Sequence, residues 1–173
     1  MHKLFIIITN LLLILFTCAV QANNVFTLNT SSFLNKGLMP SIYSCNGKNI
    51  SPGLNWANAP ANTKSFALIL SDKDAPSGIF YHWILYNMPT TTTSLAEGEQ
   101  TIPTGAELGT NSFNRQQYDG PCPPKGAQHT YIFALYALDD NLKVHAHADA
   151  KTVLKAIQKH TLATTELTAV YAN

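Results

Sequence analysis

Three apolar runs constrain this chain more than any other feature in it. They are KSFALILS at 64–71, FYHWILYNM at 80–88 and TYIFALYAL at 130–138. Each is short and rich in aromatic and branched side chains, which suit a pleated, packed surface. In the first run Phe66, Leu68 and Leu70 share one face, and Ala67 and Ile69 share the other. Apolar residues on both faces predict a central strand covered on both sides. A loop containing Pro76, Ser77 and Gly78 separates the first two runs, so they are expected to pair as an antiparallel hairpin. Shorter strand patterns occur at 25–28 and around Leu54 and Trp56.

One helix is expected, from Asp149 to His160. Asp149 is a good N-cap, Val153, Leu154 and Ile157 form the buried stripe, and Lys151, Lys155 and Lys159 face water. Residues 162–171 are rich in Thr and read as a returning strand. The fold class is therefore mainly β, in one domain spanning residues 23–173.

The first 22 residues read as a signal peptide. A polar start at His2 and Lys3 precedes an apolar stretch from Leu4 to Phe16, and Ala22 ends a small-residue cleavage pattern. The apolar stretch is shorter than the roughly 20 residues needed to cross a bilayer, so no transmembrane span is expected. The chain is then periplasmic or secreted. Cys45 and Cys122 remain in the mature part, and in an exported protein such a pair suggests a disulfide. Cys122 as a nucleophile, with His129 as base, is the competing reading. Only 12% of residues are charged and the net charge is +1, with no basic stripe, which argues against nucleic acid as a partner.

The segment from Pro89 to Gly126 is long, irregular and punctuated by Gly and Pro, as functional loops are. Asp72 leaves the first strong strand, His82 enters its hairpin partner, and His129 enters the third strand. The hairpin allows Asp72 and His82 to meet across the ladder, and His129 can join them at one rim of the sheet. Imidazole N–H groups and backbone N–H groups of a Gly-rich loop would suit an oxyanion. A nearby carboxylate would fix the histidine tautomer. Tyr118 is expected over the mouth of this hollow. Two imidazoles and a carboxylate could also hold a metal, but their spacing matches no metal motif, and none is expected. His145 and His147 read as an exposed polar pair, and Trp56 and Trp83 as core.

Several short motifs in fixed order carry a resemblance. They are Cys45-Asn46-Gly47, Ser51-Pro52-Gly53-Leu54-Asn55-Trp56, Asp72-Lys73-Asp74-Ala75-Pro76-Ser77, His82-Trp83, Asn87-Met88-Pro89, and Gly120-Pro121-Cys122-Pro123-Pro124 with His129. From about Phe26 to Tyr171 the chain resembles the phosphatidylethanolamine-binding protein family, and within it the bacterial Raf kinase inhibitor-like branch. The resemblance implies a large central sheet packed on a smaller one, with a few peripheral helices. It also implies a pocket for phosphate-like anions, including phospholipid head groups. Carried over, that pocket is Asp72, His82 and His129, with Asp74, Gly120 and Pro121 beside them. No cofactor and no enzymatic turnover are implied. A homodimer or a protein partner is compatible with the resemblance. A Cys/His hydrolase or protease-inhibitor-like protein using the same pocket is the alternative. The chain departs from the family pattern at Lys73, where Pro is usual, and at Thr130, where Arg is usual.

Overall fold

A computed structural model describes residues 24–98 and 101–173. The expected signal peptide lies outside the described residues. The strands in chain order are β1 (Thr27–Asn29), β2 (Gly37–Leu38), β3 (Leu54–Ala57), β4 (Ser65–Asp72), β5 (Phe80–Pro89), β6 (Ser94–Leu95), β7 (Glu107–Leu108), β8 (Gln128–Leu138) and β9 (Thr161–Ala172). One α-helix, α1 (Ala150–His160), and one 3-10 turn (Ser41–Tyr43) accompany them among the described residues. "A few peripheral helices" thus reduces to these two elements.

Six strands form the large sheet in the order β2-β9-β8-β4-β5-β7, and β1-β3-β6 form the small one. All pairings are antiparallel except β2 with β9. β4 lies between β5 and β8, as its two apolar faces require. Phe66, Leu68 and Leu70 pack toward the small sheet with Trp56, Leu28 and Phe133. Ala67 and Ile69 pack the other way, with Val153 and Ile157 of α1. Asp149 caps α1 by accepting from Thr152 N at 2.8 Å, which is worth about 1 kcal/mol. The chain passes from α1 straight into β9, whose inward residues Leu167, Ala169 and Tyr171 complete the small-sheet side of the core.

β5 does not keep step with β4. Leu70 pairs with Trp83, but Ser71 pairs with Tyr81, so His82 is an extra residue on β5. A second shift falls between Phe66–Met88 and Leu68–Leu85. There Asn87 adopts φ +57°, a left-handed conformation that asparagine tolerates. Its side chain compensates by accepting from Leu142 N at 2.7 Å and donating to Glu107 Oε1 at 2.9 Å.

Candidate functional site

Asp72, Tyr131 and His129 reach one rim by simple alternation. Asp72 lies opposite Tyr131 in the β4–β8 ladder, and His129 is two residues earlier on β8, so all three share the face that carries Leu70 and Phe133. His82 would not join them by alternation. Counted back from Trp83, it would point with Ile84 toward the helix side. The bulge cancels that inversion. Tyr81 packs on the helix side, while the His82 ring meets Tyr131 edge-on at 5.4 Å.

Asp72, His82 and His129 are 4%, 2% and 7% exposed. Asp72 Oδ2 accepts from His129 Nδ1 at 2.7 Å, and Asp72 Oδ1 accepts from Asp74 N at 2.9 Å. The expected Asp72–His82 contact is therefore replaced by an Asp72–His129 pair. The reason is register: Asp72 stands opposite Phe80, not His82. Asp72 still acts on His82 through its charge.

His82 is held by a group that sequence reasoning missed. Its Nδ1 donates to the carbonyl of Asp119 at 2.8 Å, and its own carbonyl accepts from Asp119 N and Asn111 Nδ2, both at 3.2 Å. The carbonyl displaced by the bulge is thus satisfied by the long loop. The Asp119 carboxylate is itself buried, between Arg115 Nη2 at 2.6 Å and Asn111 Nδ2 at 2.7 Å. Phe80 and Phe113 wall the ring at 5.1 and 5.5 Å. Burial pushes the His82 pKa below its ordinary value, and the Asp119 carbonyl and Asp72 only partly oppose this.

Tyr131 was also missed. It is fully buried between the two imidazoles, and its hydroxyl has no hydrogen-bond partner among the described residues. Burial and then the Asp72 charge raise its pKa, so it remains a donor. The period of two after His129 was the signal that could have found it.

The other expected residues divide. Asp74 is exposed and accepts from Thr130 N at 2.7 Å, and hydrogen bonding from the Thr130 side chain, with the backbone bond adding to it, keeps its carboxyl below the usual range. It anchors the start of β8 at the position where the family usually has Arg. Gly120 supplies no backbone donor to the rim, because its N–H goes to Asn49 Oδ1 at 2.7 Å. A Cβ at Gly120 would lie 2.0 Å from the Tyr43 carbonyl oxygen, so only glycine lets the loop lie this close. The Pro121 carbonyl accepts from Cys45 N at 3.0 Å, and Cys45 and Cys122 form a disulfide with Cα atoms 5.4 Å apart. Tyr118 does not cover the rim. It turns to Trp83, edge-on at 5.5 Å, and donates its hydroxyl to the Tyr43 carbonyl at 2.6 Å. Asp119 serves His82 through its backbone, while the Tyr118 side chain is committed to Trp83 and the Tyr43 carbonyl. Among the described residues, no group of three His, Cys, Asp or Glu side chains could hold a metal ion.

The remaining nitrogen, Nε2 of each imidazole, has no protein partner among the described residues, and neither atom is sealed from solvent. The rim thus offers two ring nitrogens beside a carboxylate, with the Tyr131 hydroxyl sealed from solvent behind them.

Comparison with known proteins gives the family and the fold. A family model described as "Phosphatidylethanolamine-binding protein" matches residues 29–172. A UPF0098 protein of Methanothermobacter thermautotrophicus is 42% identical over 147 residues, covering 83% of this chain and 97% of its own. The UPF0098 protein YbcL of Escherichia coli is 35% identical over 180 residues, covering 98% of both chains. The crystal structure of YbcL, described as a new member of the mammalian PEBP family, superposes with a TM-score of 0.81 at 32% identity, covering 86% of this chain and 98% of that one. That of CT736 from Chlamydia trachomatis, described as a PEBP homolog, gives a TM-score of 0.80 at 36% identity, covering 87% and 99%.

Proposed function

From the premise that this chain belongs to the phosphatidylethanolamine-binding protein family, we propose that it is an exported binding protein whose rim takes a small phosphate-bearing ligand or phospholipid head group. The observation that carries this reading is the bulge at His82, which brings a second imidazole to the face already holding Asp72, His129 and Tyr131. A phosphate oxygen needs donors, and two imidazoles can supply them. The Asp72 carboxylate suits the ammonium of an ethanolamine head group. The small exposed area favours an ion or a single head group over a large substrate.

The protein binds without turnover in this reading. Cys122, the candidate nucleophile, has its sulfur bonded to Cys45, which supports a structural role. The same disulfide suits an oxidising compartment, and with the apolar leader it supports a periplasmic or secreted location.

Proton uptake distinguishes this site from a generic cationic patch. Neutral His82, donating through Nδ1, presents Nε2 only as an acceptor. An anion requires it protonated, and burial opposes that in the empty protein. Anion affinity therefore rises as pH falls from about 8 to about 5, by up to about tenfold per unit for one coupled proton. Calorimetric titration with sulfate, phosphate and phosphoethanolamine measures this. Sulfate keeps its charge throughout, so its pH dependence reports the protein alone. His82→Phe keeps the ring packing and, by removing one of the two imidazole donors, should weaken both the affinity and its pH dependence. Equal sulfate affinity at both ends of that range in the unaltered protein rejects the proposal.

A further inference from the structure

The 116–121 segment has a second side. Opposite the His82 rim it helps enclose a hollow of about 360 Å3. Asn49, Ser51, Trp83, Gln116, Gln117 and Tyr118 supply its polar lining, and Ile102 is among its apolar lining. The bulge makes this possible as well, since it puts His82 and Trp83, neighbours in sequence, on one face of β5.

Among the described residues, none that lines the hollow carries a formal charge. Its carboxamides are each half used. Asn49 Oδ1 accepts from Gly120 N, Gln116 Nε2 donates to Thr110 Oγ1 at 3.2 Å, and Gln117 Nε2 donates to Asp119 Oδ1 at 3.1 Å. That leaves Asn49 Nδ2, Gln116 Oε1 and Gln117 Oε1 without protein partners among the described residues. The Trp83 indole N–H likewise has no acceptor there, and unlike that of Trp56 it is not sealed from solvent.

We propose that this hollow is a second binding site, distinct from the anion rim, for an uncharged saccharide of one or two rings. A charged ligand would lose hydration with nothing among the described lining residues to neutralise it. A purely apolar one would strand the carboxamides. A nucleobase prefers a slot between parallel faces, whereas Trp83 and Tyr118 meet at 89°. Sugar hydroxyls both donate and accept, which matches a lining of one amide donor, two amide acceptors and an indole N–H, and sugar C–H faces suit the indole and Ile102. The volume falls within the roughly 300–1,000 Å3 of small-molecule sites.

The chain contains two tryptophans, so a 15N-labelled protein gives two indole N–H signals. Titration with glucose, N-acetylglucosamine and maltose should move the Trp83 signal saturably and leave that of buried Trp56 in place. Gln116→Leu removes an acceptor at an exposed position and should weaken binding about fivefold, while Ile102→Phe narrows the hollow and should weaken it further. Saturating phosphate should leave the sugar titration intact, which separates this site from the anion rim. Three results overturn the proposal. One is an unmoved Trp83 signal with all three sugars up to about 50 mM, weaker than any useful affinity. Another is a response to glucuronate, a nucleoside or a neutral dipeptide in place of the sugars. The last is sugar binding that neither variant alters or that phosphate displaces.

Discussion

β8 and β5 deliver one imidazole each to the same rim by different means. β8 runs through 11 residues and holds register with β4 from Tyr131 to Leu138. His129 and Tyr131 face the rim because alternation puts them there. β5 has 10 residues and loses step with β4 twice. His82 faces the rim only because one residue is left over, and a loop far along the chain satisfies the backbone group this frees. The lesson is that the β8 half of the site is built into the ladder, while the β5 half depends on the 111–122 loop. Perturbing that loop should therefore disturb His82 and spare His129.

The largest effect is expected from the disulfide that ties the loop down. Replacing Cys45 and Cys122 together by Ser opens a link between residues 77 apart in sequence. In the chain-entropy model this costs about 4 kcal/mol, measurable by urea unfolding. In the folded fraction, exchange of the His82 Nδ1 proton should speed up while that of His129, held by Asp72 within the sheet, changes little. Equal acceleration of both protons would show that the two halves are not independent.

Asp119→Ala should come next. It takes from Asn111 Nδ2 its shortest hydrogen bond, leaving the His82 and Gln117 carbonyls, and leaves Arg115 without its partner, at a cost of about 1 kcal/mol. The His82–Asp119 bond uses the backbone carbonyl, so the bond survives in principle, but the carbonyl is no longer held in place. Weaker sulfate binding with an unchanged His129–Asp72 pair is the expected outcome, read by titration and by histidine ring signals. Unchanged sulfate affinity would mean that the loop does not position His82.

The smallest effect is the pH dependence of the empty protein. The folded-state pKa of His82 is lowered from 6.5 by burial. A histidine buried neutral contributes stability that is whole above 6.5 and lost as pH falls below it, because the unfolded chain takes up the proton first. Unfolding free energy should therefore fall on acidification below 6.5, and His82→Phe should flatten that part of the profile. Added sulfate should offset the loss in the unaltered protein. A profile that His82→Phe leaves unchanged would place the titration elsewhere.

Much of the fold is legible in the residues. The two apolar faces of Lys64–Ser71 require a doubly covered strand, the Asp149 cap and the Val153–Ile157 stripe define the helix, and threonines mark β9. The motif order gives the family, and with it Asp72, His82 and His129. What is not legible has a common cause. Strand patterns are read at a period of two, and a bulge changes which face a residue takes without altering composition or hydropathy. The bulge brings His82 to the face of Asp72, the expected contact between them gives way to the Asp72–His129 pair, and Tyr118 turns to Trp83 because a loop residue's direction depends on what it lies against.

By itself the sequence determined the longer strands, the helix, the candidate imidazoles and the cysteine pair, but not the two-residue strands β2, β6 and β7, because local patterning and covalent chemistry act over a few residues. Only the tertiary structure decided that Asp72 pairs with His129, that Asp119 orients His82 and that the Gly120 N–H belongs to Asn49. Those choices join positions 57, 37 and 71 residues apart, and each depends on register and close approach, which exist only once the sheet and its loop have packed.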